Sequence, residues 1–204
     1  MHTPGLSARK PDHPIDPFFA DRWSPRSFLP DPIPDADLLT IFEAARWAPS
    51  SSNNQPWRFL YARRDTASWP LFVNLLVEPN RVWAENASVL IVVISNTQFD
   101  RGGESSQTHS FDTGAAWQNL ALQAWLKGYA AHGMEGFNYD AARTVLEIPQ
   151  EFKVEAMLAL GKEGPKEALS PKNQEREKPN QRRPLSETIV EGKFSPALVH
   201  SQKT

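Results

Sequence analysis

The sequence predicts an α+β fold, and three observations carry that reading. Val89-Leu90-Ile91-Val92-Val93-Ile94 is an unbroken aliphatic run rich in β-branched residues, the pattern of a strand covered on both faces. Between Asp112 and Lys127, Trp117, Leu120, Ala121, Ala124 and Trp125 recur at helical spacing and form one wide apolar face, with Gly128 as the stop. Strand-like and helix-like segments follow one another in mixed order.

The first helix runs from Asp35 to Trp47, where Leu38, Ile41, Phe42 and Ala45 share a face, Pro34 precedes it and Asp35 can cap orphan amides. Pro49 and the run Ser50-Ser51-Ser52-Asn53-Asn54 then break the pattern, because these side chains compete with regular backbone hydrogen bonding. Trp57, Phe59 and Tyr61 alternate with Arg58 and Leu60 as a half-buried strand. Trp69 to Val77 reads as a helix bracketed by Pro70 and Pro79, and the Gly-, Ser- and Gln-rich stretch from Asn96 to Thr108 as a mobile connection. A short helix from Tyr139 to Leu146 precedes a strand in which Val154, Ala156, Leu158 and Leu160 alternate up to Gly161. Beyond it, Pro165, Pro171, Pro179 and Pro184 lie among charged and amide residues, which predicts an extended arm over 165–204 rather than a second domain. The expectation is a single domain over 1–204 with its core at about 15–164.

At 204 residues the chain can bury a full core. A net charge of −2 and a pI near 6.2 give no global electrostatic reason to expect nucleic acid or an anionic membrane as partner. The absence of cysteine excludes disulfides, thiolate metal sites and a cysteine nucleophile, and is compatible with a reducing compartment. No secretory signal is evident at the start, and the Val89–Ile94 run is far short of the roughly 20 apolar residues that span a bilayer. The expected location is the cytoplasm.

The Gly-rich, P-loop, zinc-protease and nucleophile-elbow motifs are all missing. The five histidines are scattered without metal-ligand spacing, so no metal is expected. Two loops remain. Arg22-Trp23-Ser24-Pro25-Arg26 could offer guanidinium forks and hydroxyls to a phosphate, or be a solvated basic loop. Ala48-Pro49-Ser50-Ser51-Ser52-Asn53-Asn54-Gln55-Pro56-Trp57 could read the polar edge of a flat heterocycle, or be an ordinary connection.

Together, Arg-x-Ser-x-Arg-x-Phe and Ala-Pro-Ser-x-x-Asn-x-Gln-Pro-Trp about two dozen residues later resemble the opening of the nitroreductase family of FMN enzymes. Asp112-Thr113-Gly114-Ala115-Ala116-Trp117-Gln118-Asn119-Leu120 is similar to the family's central helix. Met134-Glu135-Gly136-Phe137, Ile148-Pro149, Leu160-Gly161 and Arg182-Arg183-Pro184-Leu185 also fit, so the resemblance covers roughly residues 15 to 190.

The resemblance implies a central, mostly antiparallel sheet flanked by helices, and a homodimer whose C-terminal arm wraps the partner subunit and whose FMN sites lie at the interface. It implies that Arg22, Ser24 and Arg26 hold the FMN phosphate and ribityl chain with Arg182, and that Pro49, Ser50, Ser51, Asn53 and Gln55 close the site across the dimer. Asn80 is then expected at the flavin's pyrimidine edge, with Trp83 where some members have a lysine. Met134, Glu135 and Gly136 match the turn beside the flavin's reactive N5, where a backbone N–H is the functional group and glycine permits close approach. Without the family, Glu135-Gly136 reads as a plain turn before the Tyr139 helix, since glycine is the default turn residue.

The implied chemistry is two-step. NAD(P)H delivers hydride to FMN and leaves, and a small-molecule acceptor such as a nitroaromatic or quinone then takes the electrons, with no acid/base side chain nominated. The alternatives are a flavoenzyme of the same fold with dehalogenase or dehydrogenase chemistry, and an FMN-binding protein without substantial turnover.

Overall fold

In the computed structural model, residues 9–195 and 198 are described. The elements, in chain order, are α1 (Pro17–Asp21), β1 (Phe28–Leu29), α2 (Asp35–Arg46), β2 (Trp57–Arg63), α3 (Trp69–Val73), α4 (Glu78–Ala84), β3 (Val89–Asn96), α5 (His109–Leu126), β4 (Ala130–Met134), α6 (Tyr139–Val145), β5 (Phe152–Glu163) and α7 (Pro171–Arg176). Every pairing between these strands is antiparallel: β2 pairs β3, β3 pairs β5, and β5 also pairs β4 and β1.

Side-chain alternation along β3 divides the core between the two sheet faces. Val89, Ile91 and Val93 pack with Leu38 and Ile41 of α2 and Leu120 and Ala124 of α5, while Leu90, Val92 and Ile94 pack with Phe72, Val73 and Trp83. Helices therefore cover both faces, which is why an antiparallel strand carries a continuous apolar run.

The even spacing of Val154, Ala156, Leu158 and Leu160 does not place them on one face. Val93 pairs with Ala156 and Ile94 with Val154, so Glu155 is an extra residue that resets the alternation. Val154 then joins Met157 and Ala159 in one half of the core, and Leu158 and Leu160 lie in the other.

Several other expectations are corrected. The helix expected over Trp69–Val77 is only the short α3, and a further helix not expected from the sequence, α4, begins at Glu78 just before Pro79. Pro34 occupies the cap position of α2, and Asp35 instead pairs its carboxylate with Arg63. The stretch from Asn96 to Thr108 is a hydrogen-bonded excursion: Ser106 N–H donates to Thr97 O and Phe99 N–H to Glu104 O, both at 2.8 Å, and Gln98 bridges to Ser105. Strand β4 carries no strong alternation and is set by its neighbour β5.

The C-terminal segment is anchored to its own chain. Ser27 Oγ donates to Pro165 O (2.6 Å), Arg9 Nε donates to Asn180 O (2.9 Å), and Leu185 N–H donates to Asp12 Oδ2 (2.9 Å). As far as Leu185, the arm runs against its own N-terminal segment.

Candidate functional site

Three groups of expected residues fall in different places. The first is the loop between α1 and β1. Arg22 is partly buried and folds back, its Nη1 donating to Trp23 O (3.1 Å) and Ser24 Oγ (3.2 Å). That leaves the Ser24 hydroxyl proton free to point outward. Arg9, a residue without sequence signal, reaches the same loop and donates to Ala20 O (2.9 Å) and Arg22 O (2.6 Å).

Arg182 arrives from the C-terminal segment, and the three cations act on one another. Burial lowers the pKa of Arg22 first, and the charges of Arg9 and Arg182 lower it further. Arg9 is likewise depressed by burial and then by Arg182, with Asp21 opposing. Arg9 and Arg22 nonetheless remain protonated at neutral pH, because the guanidinium starts so high. Like charges gathered at one place favour an anionic ligand with several acceptor oxygens.

The backbone of this loop is fixed from behind. Glu177, from the segment after α7, accepts from Arg26 N–H (2.8 and 3.0 Å) and Ser27 N–H (2.8 Å), and its carboxylate lies 4.0 Å from the Arg26 guanidinium. Burial raises the Glu177 pKa and Glu163 adds to it, while the two N–H donors and Arg26 pull it down. His132 of β4 holds the preceding residue, with Nδ1 2.8 Å from Pro25 O. A carbonyl only accepts, so Nδ1 carries the proton. Burial, helped by Arg26, Arg22 and Arg176 and opposed by the Pro25 bond, lowers the His132 pKa to about 4.

The second group lies at the end of the same strand and in the turn that follows it, with Asn80 on α4. Met134 is 5% exposed and packs in the core, so its side chain offers nothing to a ligand. Glu135 is exposed, and its carbonyl accepts from Phe137 N–H (2.9 Å), which makes Gly136 the middle of a tight turn. The Gly136 carbonyl accepts from Asn80 Nδ2 (3.1 Å) and Val77 N–H (3.3 Å). Its own N–H has no hydrogen-bond partner among the described residues, nor has Asn80 Oδ1. A Cβ at Gly136 would stand 2.5 Å from Asn80 Nδ2 and 3.0 Å from Val77 Cγ2. Trp83 leaves no gap here: it is 1% exposed and packs between Phe28 (6.2 Å) and His132 (4.7 Å between ring centres).

The third group is the loop from Pro49 to Gln55. Its conformation is unusual for side chains with a Cβ, with φ of 52°, 53° and 48° at Ser52, Asn53 and Gln55. It is pinned to α5, where buried Asp112 accepts from Ser51 N–H (3.0 Å), and to itself, where Gln55 N–H donates to Ser50 Oγ (3.0 Å). Pro49 is exposed. No hydrogen bond or ion pair among the described residues joins this loop to the arginine loop or to the Gly136 turn.

Sequence reasoning missed Arg9, His132, Arg176 and Glu177. Only a chain-crossing contact reveals them, since Glu177 and Arg26 are 151 residues apart.

Proteins of known structure share this fold. The model described as "Nitroreductase family" matches residues 19–162. A crystal structure described as an oxidoreductase containing FMN is 52% identical, with a TM-score of 0.89, covering 92% of this chain and 96% of that one. A Streptomyces coelicolor protein, provisionally named NADH dehydrogenase/NAD(P)H nitroreductase, is 35% identical over 99 residues, 48% of each chain. An NADH dehydrogenase of Thermus thermophilus is 26% identical over 171 residues, 69% of this chain and 82% of that protein. The match spans about half of the Streptomyces relative.

Proposed function

As a member of the nitroreductase family, the chain is, we propose, an FMN-dependent oxidoreductase that takes hydride from NAD(P)H and passes it to a small acceptor such as a nitroaromatic or quinone. The observation that carries this reading is the meeting of Arg9, Arg22 and Arg182 beside Ser24. The donor set suits a phosphate monoester, which accepts several charge-assisted hydrogen bonds at once. The partnerless Gly136 N–H, four residues beyond His132, supplies a second fit for the same cofactor.

Bound FMN supplies the hydride acceptor and donor. The chain's own contribution is to bind and orient. Arg22, Ser24 and Arg26, with Arg182, would hold the phosphate and ribityl chain. Gly136 would let the backbone come close and leave its N–H to donate to the flavin. Asn80 fixes the Gly136 carbonyl through Nδ2, and its Oδ1 would accept from the ring's polar edge. No side chain is required to move a proton.

The homodimer belongs to the same proposal. Pro49, Ser50, Ser51, Asn53 and Gln55 are held by α5 away from their own arginine loop, which suits a role in closing the site of a second copy. Helix α5 also exposes Phe111 (81%) and Leu126 (64%), large apolar surfaces that a second copy would cover. The proposed location is the cytoplasm; no helix among the described residues is long and apolar enough to cross a membrane.

A visible spectrum of the purified protein, followed by anaerobic addition of NADH or NADPH, tests the reading. A flavin band that bleaches within seconds and returns on adding menadione or nitrofurazone is expected. Protein that stays colourless after incubation with FMN overturns it, and a flavin band that NAD(P)H does not bleach reduces it to an FMN-binding protein.

A further inference from the structure

The loop that presents Arg22, Ser24 and Arg26 has its backbone held at consecutive positions by groups from elsewhere in the chain. Pro25 O is taken by His132, Arg26 N–H and Ser27 N–H by Glu177, and Ser27 O by the Gly164 N–H at 2.9 Å. Two successive N–H groups converging on one carboxylate form an anion nest, here filled by a side chain of the protein itself. Glu177 is 9% exposed and Ser27 2%, so water does not replace these bonds when the carboxylate is removed.

We propose that Glu177 is a positioning residue for cofactor binding: carried by the C-terminal segment, its carboxylate sets the Arg26 backbone and steers the Arg26 guanidinium toward the phosphate. This rests on the reading that the Arg22–Arg26 loop binds that phosphate. At 4.0 Å the Glu177–Arg26 pair is at the limit of an ion pair, so the carboxylate orients the guanidinium while leaving hydrogen-bond donors for a second anion. Arg176, one residue before Glu177, adds a further positive charge beside Arg26. The segment after α7 thus delivers two things to one site, Glu177 behind the loop and Arg182 beside it. Retention of FMN depends on this segment being docked.

The test compares FMN with riboflavin, which lacks the phosphate, by fluorescence titration of full-length protein stripped of flavin. Wild type is expected to prefer FMN strongly. Glu177→Gln keeps the shape but removes the charge, and is expected to lower the FMN-to-riboflavin affinity ratio about tenfold or more, with riboflavin affinity little changed. Glu177→Asp, which keeps the charge on a shorter arm, is expected to fall between the two and carries the comparison if Glu177→Gln does not fold. An unchanged ratio in the folded variant overturns the proposal, as does an equal loss of both affinities, which marks a purely structural residue. A wild-type protein that binds riboflavin as tightly as FMN overturns the phosphate assignment itself, and this proposal with it.

Discussion

Asn80 Nδ2 lies 3.1 Å from the carbonyl oxygen of Gly136, and a Cβ at Gly136 would stand only 2.5 Å from the same nitrogen. The turn and the helix α4 that carries Asn80 are therefore fitted to a residue with no side chain. Gly136→Ala must push Asn80 aside and break its bond to the turn. The expected cost is about 1–3 kcal/mol of stability, typical of overpacking, together with weaker flavin binding or slower reduction. Shortening the obstacle with Asn80→Ser should recover part of the stability in the double variant. Additive losses in a thermal-unfolding double-mutant cycle would show that the two residues are uncoupled.

Glu135 gives the opposite expectation. Its side chain is exposed and its backbone, rather than its carboxylate, shapes the turn. Glu135→Gln should leave single-turnover flavin reduction within about twofold of wild type, as for a surface substitution. A collapse of reduction with FMN still bound would reinstate the carboxylate as a working group.

The pH dependence of stability should show His132. Its folded-state pKa, about 4, lies below the ordinary histidine value of 6.5, chiefly because of burial and then the nearby arginines. The unfolded chain therefore takes up the proton first as pH falls. Stability from this residue is full above about pH 6.5, declines as pH falls toward 4, and is exhausted below that. The total is about 3 kcal/mol. Urea unfolding of wild type and His132→Gln between pH 7 and pH 4 measures it, since the variant should lose less stability over that interval. Parallel profiles would refute the assignment.

The arginines Arg22 and Arg182 should differ in weight. Arg22 is partly buried and Arg182 exposed, so solvent screens the second more. Arg22→Ala is expected to weaken FMN binding by about 1.5–3 kcal/mol and Arg182→Ala by less, with a smaller loss of riboflavin binding than of FMN binding in both. Inorganic phosphate should raise the melting temperature of flavin-free wild type and raise that of Arg22→Ala less. Equal stabilisation of both proteins would argue that the ion binds elsewhere.

Much of the fold is legible in the chain because burial leaves local periodicity. Helix α2 follows its apolar spacing to within a residue of Trp47, β3 follows its aliphatic run, and α5 follows its wide apolar face although it begins three residues earlier, at His109. Where periodicity is weak, the chain is silent. Strand β4 exists because β5 offers it a partner, α4 is hidden by Pro79, and the extra residue Glu155 turns a regular alternation into two half-patterns.

The site divides in the same way. Residue types and spacing left Arg22, Ser24, Arg26, the Ser50–Asn53 loop and Gly136 open between a site and ordinary loops; the resemblance of the combined motifs to a family marked them, in keeping with a phosphate's need for several donors and a close backbone approach's need for glycine. Only the tertiary structure decided that Arg9 joins Arg22, that Glu177 and His132 hold the loop, that Asn80 braces Gly136, and that Trp83 and Met134 belong to the core. The physical reason is range. Periodicity reports which side of a segment avoids water. Which distant segments then bring their charges together depends on how the sheet and the returning C-terminal segment close the chain on itself.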